Sequence, residues 1–134
     1  MTGPLLELPQ ARLAVPIPEK GPRPLPAAWE CALDGDVLRW APGVYDLFGL
    51  PRGCAISRDD IVAMYAPESR ALLDQLRRHA IATCGSFTFE AKILRPGGAP
   101  RWMRVTADII ARNGSATHLY GTKLDITAEM AGKG

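Results

Sequence analysis

Residues 86–127 constrain the fold most, because their apolar positions recur every second residue in three successive runs. Phe87, Phe89, Ala91 and Ile93 alternate with Ser86, Thr88, Glu90 and Lys92, the period of a strand with one buried face. Arg95-Pro-Gly-Gly-Ala-Pro100 then reads as a turn. Met103, Val105, Ala107 and Ile109 alternate with Trp102, Arg104, Thr106 and Asp108. Asn113-Gly114 is a hairpin dipeptide, since both central residues of a type I′ turn need φ > 0. A third run, Thr117 to Ile126, completes an antiparallel set.

The segment before it alternates shorter elements. Trp29 to Leu33 and Val37 to Trp40 read as strands joined at Asp34-Gly35-Asp36. Pro42 suits the first turn of a short helix that Gly49 and Pro51 end. Ser57 followed by Asp60 forms a capping pair for a helix from Arg58 to Tyr65. Pro67 starts a longer helix that Gly85 ends. Its apolar stripe is Leu72, Leu76 and Ala80, with Leu73, and Asp74 and Arg78 stand four apart on the other side. Residues 1–26 differ from all of this. They hold seven of the twelve prolines, and proline fixes φ and removes a donor, so this arm is extended or disordered rather than helix or sheet.

At 134 residues and 47% apolar, the chain has the size and composition of one domain with one core. Its formal charge of +2 is too small to argue for nucleic acid. Cys31, Cys54 and Cys84 are scattered, without a Cys-x-x-Cys spacing, which suits a reducing compartment. The N-terminus has no basic segment of a secretory signal, and no apolar run reaches the roughly 20 residues that span a bilayer. The expectation is a cytoplasmic protein with no membrane segment.

The ordered motifs resemble those of a PAS domain. Gly97/Gly98, Arg101-Trp102, Gly114, Gly121 and Asp125-Ile126-Thr127 are similar to the C-terminal half of that family. Trp40-Ala-Pro-Gly43, Phe48-Gly-Leu-Pro51 and Ala66-Pro67-Glu68-Ser69 resemble its first strands, short helices and long-helix start. The resemblance implies an α+β fold: a five-stranded antiparallel sheet with short helices packed on one face, plus the Pro-rich N-terminal arm. It divides the chain into an arm over 1–27, a PAS domain over 28–129 and a tail over 130–134.

What the resemblance implies about ligands can be checked position by position. Flavin-binding light-sensing relatives carry a reactive Cys where Ile61 stands, and inward amides where Ile93, Met103 and Lys123 stand. An aliphatic side chain neither donates to nor accepts from an isoalloxazine edge, so a flavin adduct is not expected. Haem-binding relatives place an axial His where Asp74 stands, and His79 lies five residues on. His79 and His118 form no ligand-spaced cluster with the cysteines, so no metal is expected. No resident cofactor is assigned.

The inner face then has two readings. With turns centred near Gly98 and Gly114, Phe89 aligns with Ala107 and Gly121, Ala91 with Val105 and Lys123, and Ile93 with Met103 and Asp125. Small residues Ala91, Ala107 and Gly121 leave space that Phe48, Ile61, Met64, Tyr65, Leu72 and Leu76 border from the helices. This is either a closed core or a small apolar pocket with Lys123 at its edge. A buried unpaired ammonium is costly, so Lys123 should reach solvent, an acidic partner or an anionic ligand. A small apolar or carboxylate ligand is the matching class.

The outer face carries Glu90, Lys92, Arg104, Thr106, Asp108 and Thr122, and should be wet. One end is apolar instead: Leu94, Trp102 and Ile126 align, with Tyr120 and Leu124 near them. Such a cluster marks a contact, with a second copy, a partner or the chain's own arm. PAS relatives imply a homodimer or a regulatory partner such as a bacterial sensor kinase. In multidomain relatives an output domain follows the Asp-Ile-Thr junction; here only 128–134 remain, which is expected of a fragment or of a single-domain member acting in trans. No nucleophile elbow, phosphate loop or zinc-protease motif is present. The expected function is therefore a non-enzymatic signal-transduction module. A constitutive dimerisation or scaffold domain with a filled core, and a small enzyme using the pocket, are the alternatives.

Overall fold

The computed structural model describes residues 23–132. Most of the Pro-rich arm lies outside the described residues. Five antiparallel strands form one sheet: β1 (Ala27–Ala32), β2 (Val37–Trp40), β3 (Phe87–Ile93), β4 (Arg101–Arg112) and β5 (Ser115–Asp125). Their order is β2-β1-β5-β4-β3. Between β2 and β3 run α1 (Pro42–Phe48), α2 (Arg58–Val62) and α3 (Pro67–Thr83), and α4 (Thr127–Ala131) follows β5. This is the α+β arrangement the resemblance implied.

Local chemistry sets the element ends. Ser57 Oγ accepts the Asp60 amide at 3.2 Å and opens α2. That helix stops at Val62, short of the expected Tyr65. α3 ends one residue earlier than expected, on Cys84 in the left-handed region, rather than on Gly85. Asn113 and Gly114 have φ of 52° and 79°, the pair of positive values that a two-residue hairpin needs.

Periodicity places the faces as read. Phe89, Ala91, Ile93, Met103, Val105 and Ala107 are buried, while Trp102, Arg104 and Thr106 are half-exposed on the other side. The β4–β5 register is the expected one, with Met103 opposite Asp125, Val105 opposite Lys123 and Ala107 opposite Gly121. The β3–β4 register is not. Phe89 pairs with Val105, Ala91 with Met103 and Ile93 with Arg101, a shift of two residues. The connection is centred on Gly97, at φ 63°, instead of Gly98. A two-residue shift keeps every side chain on its face, so the inside–outside assignment survives it.

The α3 stripe is also rotated. Leu73 and Leu76 pack against the core, with Ser69 and Ala80 buried above and below them. Leu72 is 41% exposed. Positions 69, 73, 76 and 80 follow the helical repeat more closely than a stripe begun at 72.

The outer edge of β3 is closed at its C-terminal end. Ala66 N–H donates to Lys92 O at 2.9 Å and Leu94 N–H to Met64 O at 2.7 Å. Lys92 N–H donates to the buried Ser69 hydroxyl at 2.9 Å, and Tyr65 bridges to Ile93. This backbone seam joins the α2–α3 junction to the sheet and satisfies groups that an edge strand would otherwise leave open.

Candidate functional site

One inner-face position is neither apolar nor exposed. Lys123 on β5 sits between Val105 of β4 and Ala27 of β1 and is 7% exposed. The period of the strand points it under the helices, where an apolar residue would ordinarily stand. Its Nζ lies 3.0 Å from the Tyr65 hydroxyl. Four rings surround it, with centroids at 5.0 Å for Phe48, 5.3 Å for Trp29, 5.6 Å for Tyr65 and 5.8 Å for Trp40. Each is within the roughly 6 Å over which a ring face attracts a cation.

Each ring is delivered by a different element. Trp29 comes from β1 and Trp40 from β2, Phe48 from the end of α1, and Tyr65 from the junction held by the seam. Trp40 stacks on Phe48 at 4.8 Å, which fixes two walls against each other. Trp29 is anchored across the sheet: its Nε1 donates to Thr106 O at 3.1 Å. Gly121 lies between them in register. A Cβ at Gly121 would come within 1.9 Å of that same Thr106 oxygen, so this crossing requires glycine.

No carboxylate is within salt-bridge distance of Lys123 among the described residues. Burial is the largest influence on it, opposed in part by Cys31 and reinforced by the nearby Arg58 charge, so its pKa falls to about 7. The rings and the Tyr65 oxygen favour the ammonium, but they do not replace water fully. Burial also pushes the Tyr65 hydroxyl above its ordinary value, so it stays protonated, and raises the Cys31 thiol.

Beside the lysine is a cavity of about 50 Å³. Ile61, Tyr65, Val105 and Lys123 line it; Lys123, expected at the pocket edge with solvent or an acidic group in reach, is instead buried with the Tyr65 hydroxyl as its partner. Most of the other expected lining residues are elsewhere. Phe89, Ala91 and Met103 belong with Ile93 and Val44 to the core cluster, which also holds the Lys123 neighbour Phe48 and the cavity walls Ile61, Tyr65 and Val105, and Ala107 is buried. Met64 and Leu76 pack against that cluster from outside, Leu72 faces away, and Gly121 borders shallow surface grooves instead. The inner face is thus one packed cluster with a small cavity against it, and Ile61, Tyr65 and Val105 belong to both.

The other walls are Trp29, Cys31, Leu38, Trp40, Phe87 and Leu119, with Arg58 and Arg77. The same alternation that located Lys123 would have found Trp29 and Cys31 on β1 and Leu38 and Trp40 on β2. The arginines carry no such signal. Arg77 is held by Asp36 at 2.8 Å. Arg58 has no ion pair among the described residues, and the Trp40 indole N–H is buried without a partner among them.

The outer face is only partly the apolar patch expected. Trp102 pairs with Lys92, not with Leu94, which lies past the end of β3. Ile126 is 2% exposed where the chain turns into α4, so it is already covered. Tyr120 and Leu94 are exposed, and Ile110 joins them at 45%. Leu124 and Trp102 are half-buried. Arg104 reaches Glu90 at 2.9 Å and Glu129 at 2.6 Å, which ties α4 to this face.

Several solved structures share the fold. The N-terminal domain of a diguanylate cyclase with PAS/PAC sensor from Marinobacter aquaeolei superposes with a TM-score of 0.71 at 18% identity, covering 79% of this chain and 99% of that one. A sensory box histidine kinase/response regulator from Burkholderia thailandensis gives 0.68 at 15% identity, covering 81% and 82%. An RNA-binding light-oxygen-voltage receptor gives 0.68 at 12% identity, and the match covers 78% of this chain but only 30% of that one. No curated protein sequence matches the chain. Among the described residues no helix is long and apolar enough to cross a membrane. Residues 37–123 match the family described as PAS fold, and the chain belongs to that family.

Proposed function

We propose that the chain is a non-enzymatic sensing module of a signalling apparatus, with residues 28–129 as the sensing unit and the cytoplasm as its place. The cavity beside Lys123 takes a small ligand. The opposite sheet face meets a partner in trans, a sensor kinase or a second copy of the chain. The observation that carries this reading is a lysine buried without a carboxylate next to open space. A core built only for stability gains nothing from such a group, and perturbed ionisable groups in cavities gather at functional sites. The proteins of like fold that are named for a histidine kinase and a cyclase sensor favour signalling as the setting.

Size limits the ligand. A cavity of roughly 150 Å³ holds benzene, and this one is about 50 Å³. A small carboxylate suits it and a fatty acid does not. For the outer face, Trp102 and Leu124 lie half-buried at one end, and Tyr120 and Ile110 are exposed toward the other; apolar surface of this kind marks contacts. The closed cluster around Phe48 and Met103 favours a second reading, a constitutive dimerisation domain without a ligand.

Native mass spectrometry of protein isolated from its host, with sedimentation analysis, separates the two. Sensing requires a retained small molecule, and the interface requires Trp102→Ala to weaken association while far-UV circular dichroism is unchanged. Protein that carries no ligand and whose association is unmoved by Trp102→Ala would sink the proposal.

A further inference from the structure

Several features of the cavity have no use in a merely filled core. An amine stands inside it with a hydroxyl as its hydrogen-bond partner. A guanidinium, Arg58, lines the same space without an ion pair among the described residues. A buried indole N–H, on Trp40, has no acceptor. Four ring faces tolerate positive charge at the lysine nitrogen. Arg58, Val62 and Leu73 also border an exposed groove outside α2 and α3, so these side chains stand between the cavity and solvent.

We propose that Lys123 captures a short 2-oxo acid as an imine, with the ligand's carboxylate on Arg58. This rests on the reading of the cavity as the sensing site and names its ligand class. An aldehyde or ketone alone would leave Arg58 unused, and a simple carboxylate would leave the amine's nucleophilicity unused. A 2-oxo acid engages both, and Arg–carboxylate pairing supplies the orientation. The cavity admits the shortest members, such as glyoxylate.

The chemistry balances without a further reactant. The lone pair of the neutral amine adds to the carbonyl carbon, and the C=O π pair moves to oxygen, which takes up a proton. The nitrogen gives up a proton to leave the neutral carbinolamine, whose hydroxyl takes a second proton from solvent and departs as water as the nitrogen lone pair forms the C=N bond of the protonated imine. Nothing is oxidised or reduced. Protonated on nitrogen, the product carries the charge the ammonium carried, among the same rings. Burial leaves an appreciable neutral fraction of Lys123 near pH 7, the requirement for a nucleophilic lysine. In the cavity the groups beside it are Arg58 from α2, Arg77 from α3, Cys31 from β1 and Tyr65; Asp46 and Asp125 line a groove that Lys123 also borders, but they are paired with Arg52 and Arg101 and neither is within salt-bridge distance of the amine.

The test is reductive trapping. The full chain is incubated with glyoxylate and cyanoborohydride, which delivers hydride to an imine carbon and leaves a stable secondary amine, and the peptides are mapped by mass spectrometry. Lys123 should be labelled in preference to Lys92 on the outer face. Label should vanish in Lys123→Arg and Lys123→Met, so that one folded variant suffices. In Arg58→Ala the glyoxylate concentration for half-labelling should rise by about tenfold, the worth of one charge-assisted pair. Propanal, which has no carboxylate, should label wild type no better than glyoxylate labels Arg58→Ala. Equal labelling of Lys92 and Lys123 overturns the imine, and labelling indifferent to Arg58→Ala overturns the 2-oxo acid. Either result leaves the native-mass and association measurements intact, so failure of the imine and failure of the sensing reading are told apart.

Discussion

The Lys123 ammonium nitrogen and the Tyr65 hydroxyl oxygen are 3.0 Å apart, and they come from opposite layers, one from the central strand of the sheet and one from the helix junction. The pair is the polar contact across an otherwise apolar interior. Its strength depends on which of the two carries a proton to give.

That dependence sets the pH behaviour of the fold. Lys123 titrates near its ordinary 10.5 in the unfolded chain and near 7 in the folded one. Between those values the unfolded state holds more protons, so stability rises with pH across that window; below about pH 7 the full cost of burying the ammonium is present. The raised Cys31 thiol works the other way above its ordinary value of 9.0, where the unfolded chain loses its proton first. The difference between wild type and Lys123→Met cancels the thiol. Urea denaturation should show the variant more stable below pH 7, by on the order of 2 kcal/mol, with the gap closing as pH rises. A gap that is constant with pH would refute the assignment.

Gly121→Ala should be among the most damaging small substitutions. The new methyl meets the Thr106 carbonyl at 1.9 Å, so β4 and β5 must separate or Trp29 must give up its bond to that oxygen. A loss of about 3 kcal/mol is expected, read as a lower urea midpoint, with a red-shifted Trp emission if the indole is released.

Met103→Ala tests the packed cluster of the interior. Met103 is fully buried in the cluster with Phe48 and Ile93. Truncation should cost about 3 kcal/mol without changing ligand capture at Lys123, because Met103 does not line the cavity. Loss of labelling at constant fold would show Met103 to be part of the site.

Ser69→Ala removes the acceptor for the Lys92 amide in the β3 seam. The stranded N–H should cost about 1–2 kcal/mol, and hydrogen exchange at Lys92 should accelerate more than at Val105 in the sheet centre. Uniform acceleration would mean the seam is not a local closure.

Much of this architecture could be read from alternation alone. Buried Met103, Val105 and Ala107 and outward Trp102, Arg104 and Thr106 follow from a period of two, whatever the pairing. Pairing itself was less legible. The loop after Ile93 holds two adjacent glycines, and nothing local says that Gly97 rather than Gly98 takes the left-handed conformation at its centre. The lysine was visible as an anomaly on the inner face; its aromatic surroundings were not, because Trp29, Trp40, Phe48 and Tyr65 come from four separate elements that only the folded chain assembles. Arg58 was hidden for another reason. A charged residue in the first turn of a short helix carries no periodic mark of facing inward.

The seam along β3 also decides how another polypeptide can approach. With Lys92 and Leu94 already bonded to the helix junction, an added strand cannot run the full length of β3, and the far side of β2 is four residues long. Lateral recruitment by strand addition is thereby held to short borders. Such borders favour a companion molecule that lies broadside across the pleats, where recognition is by side chains rather than by backbone.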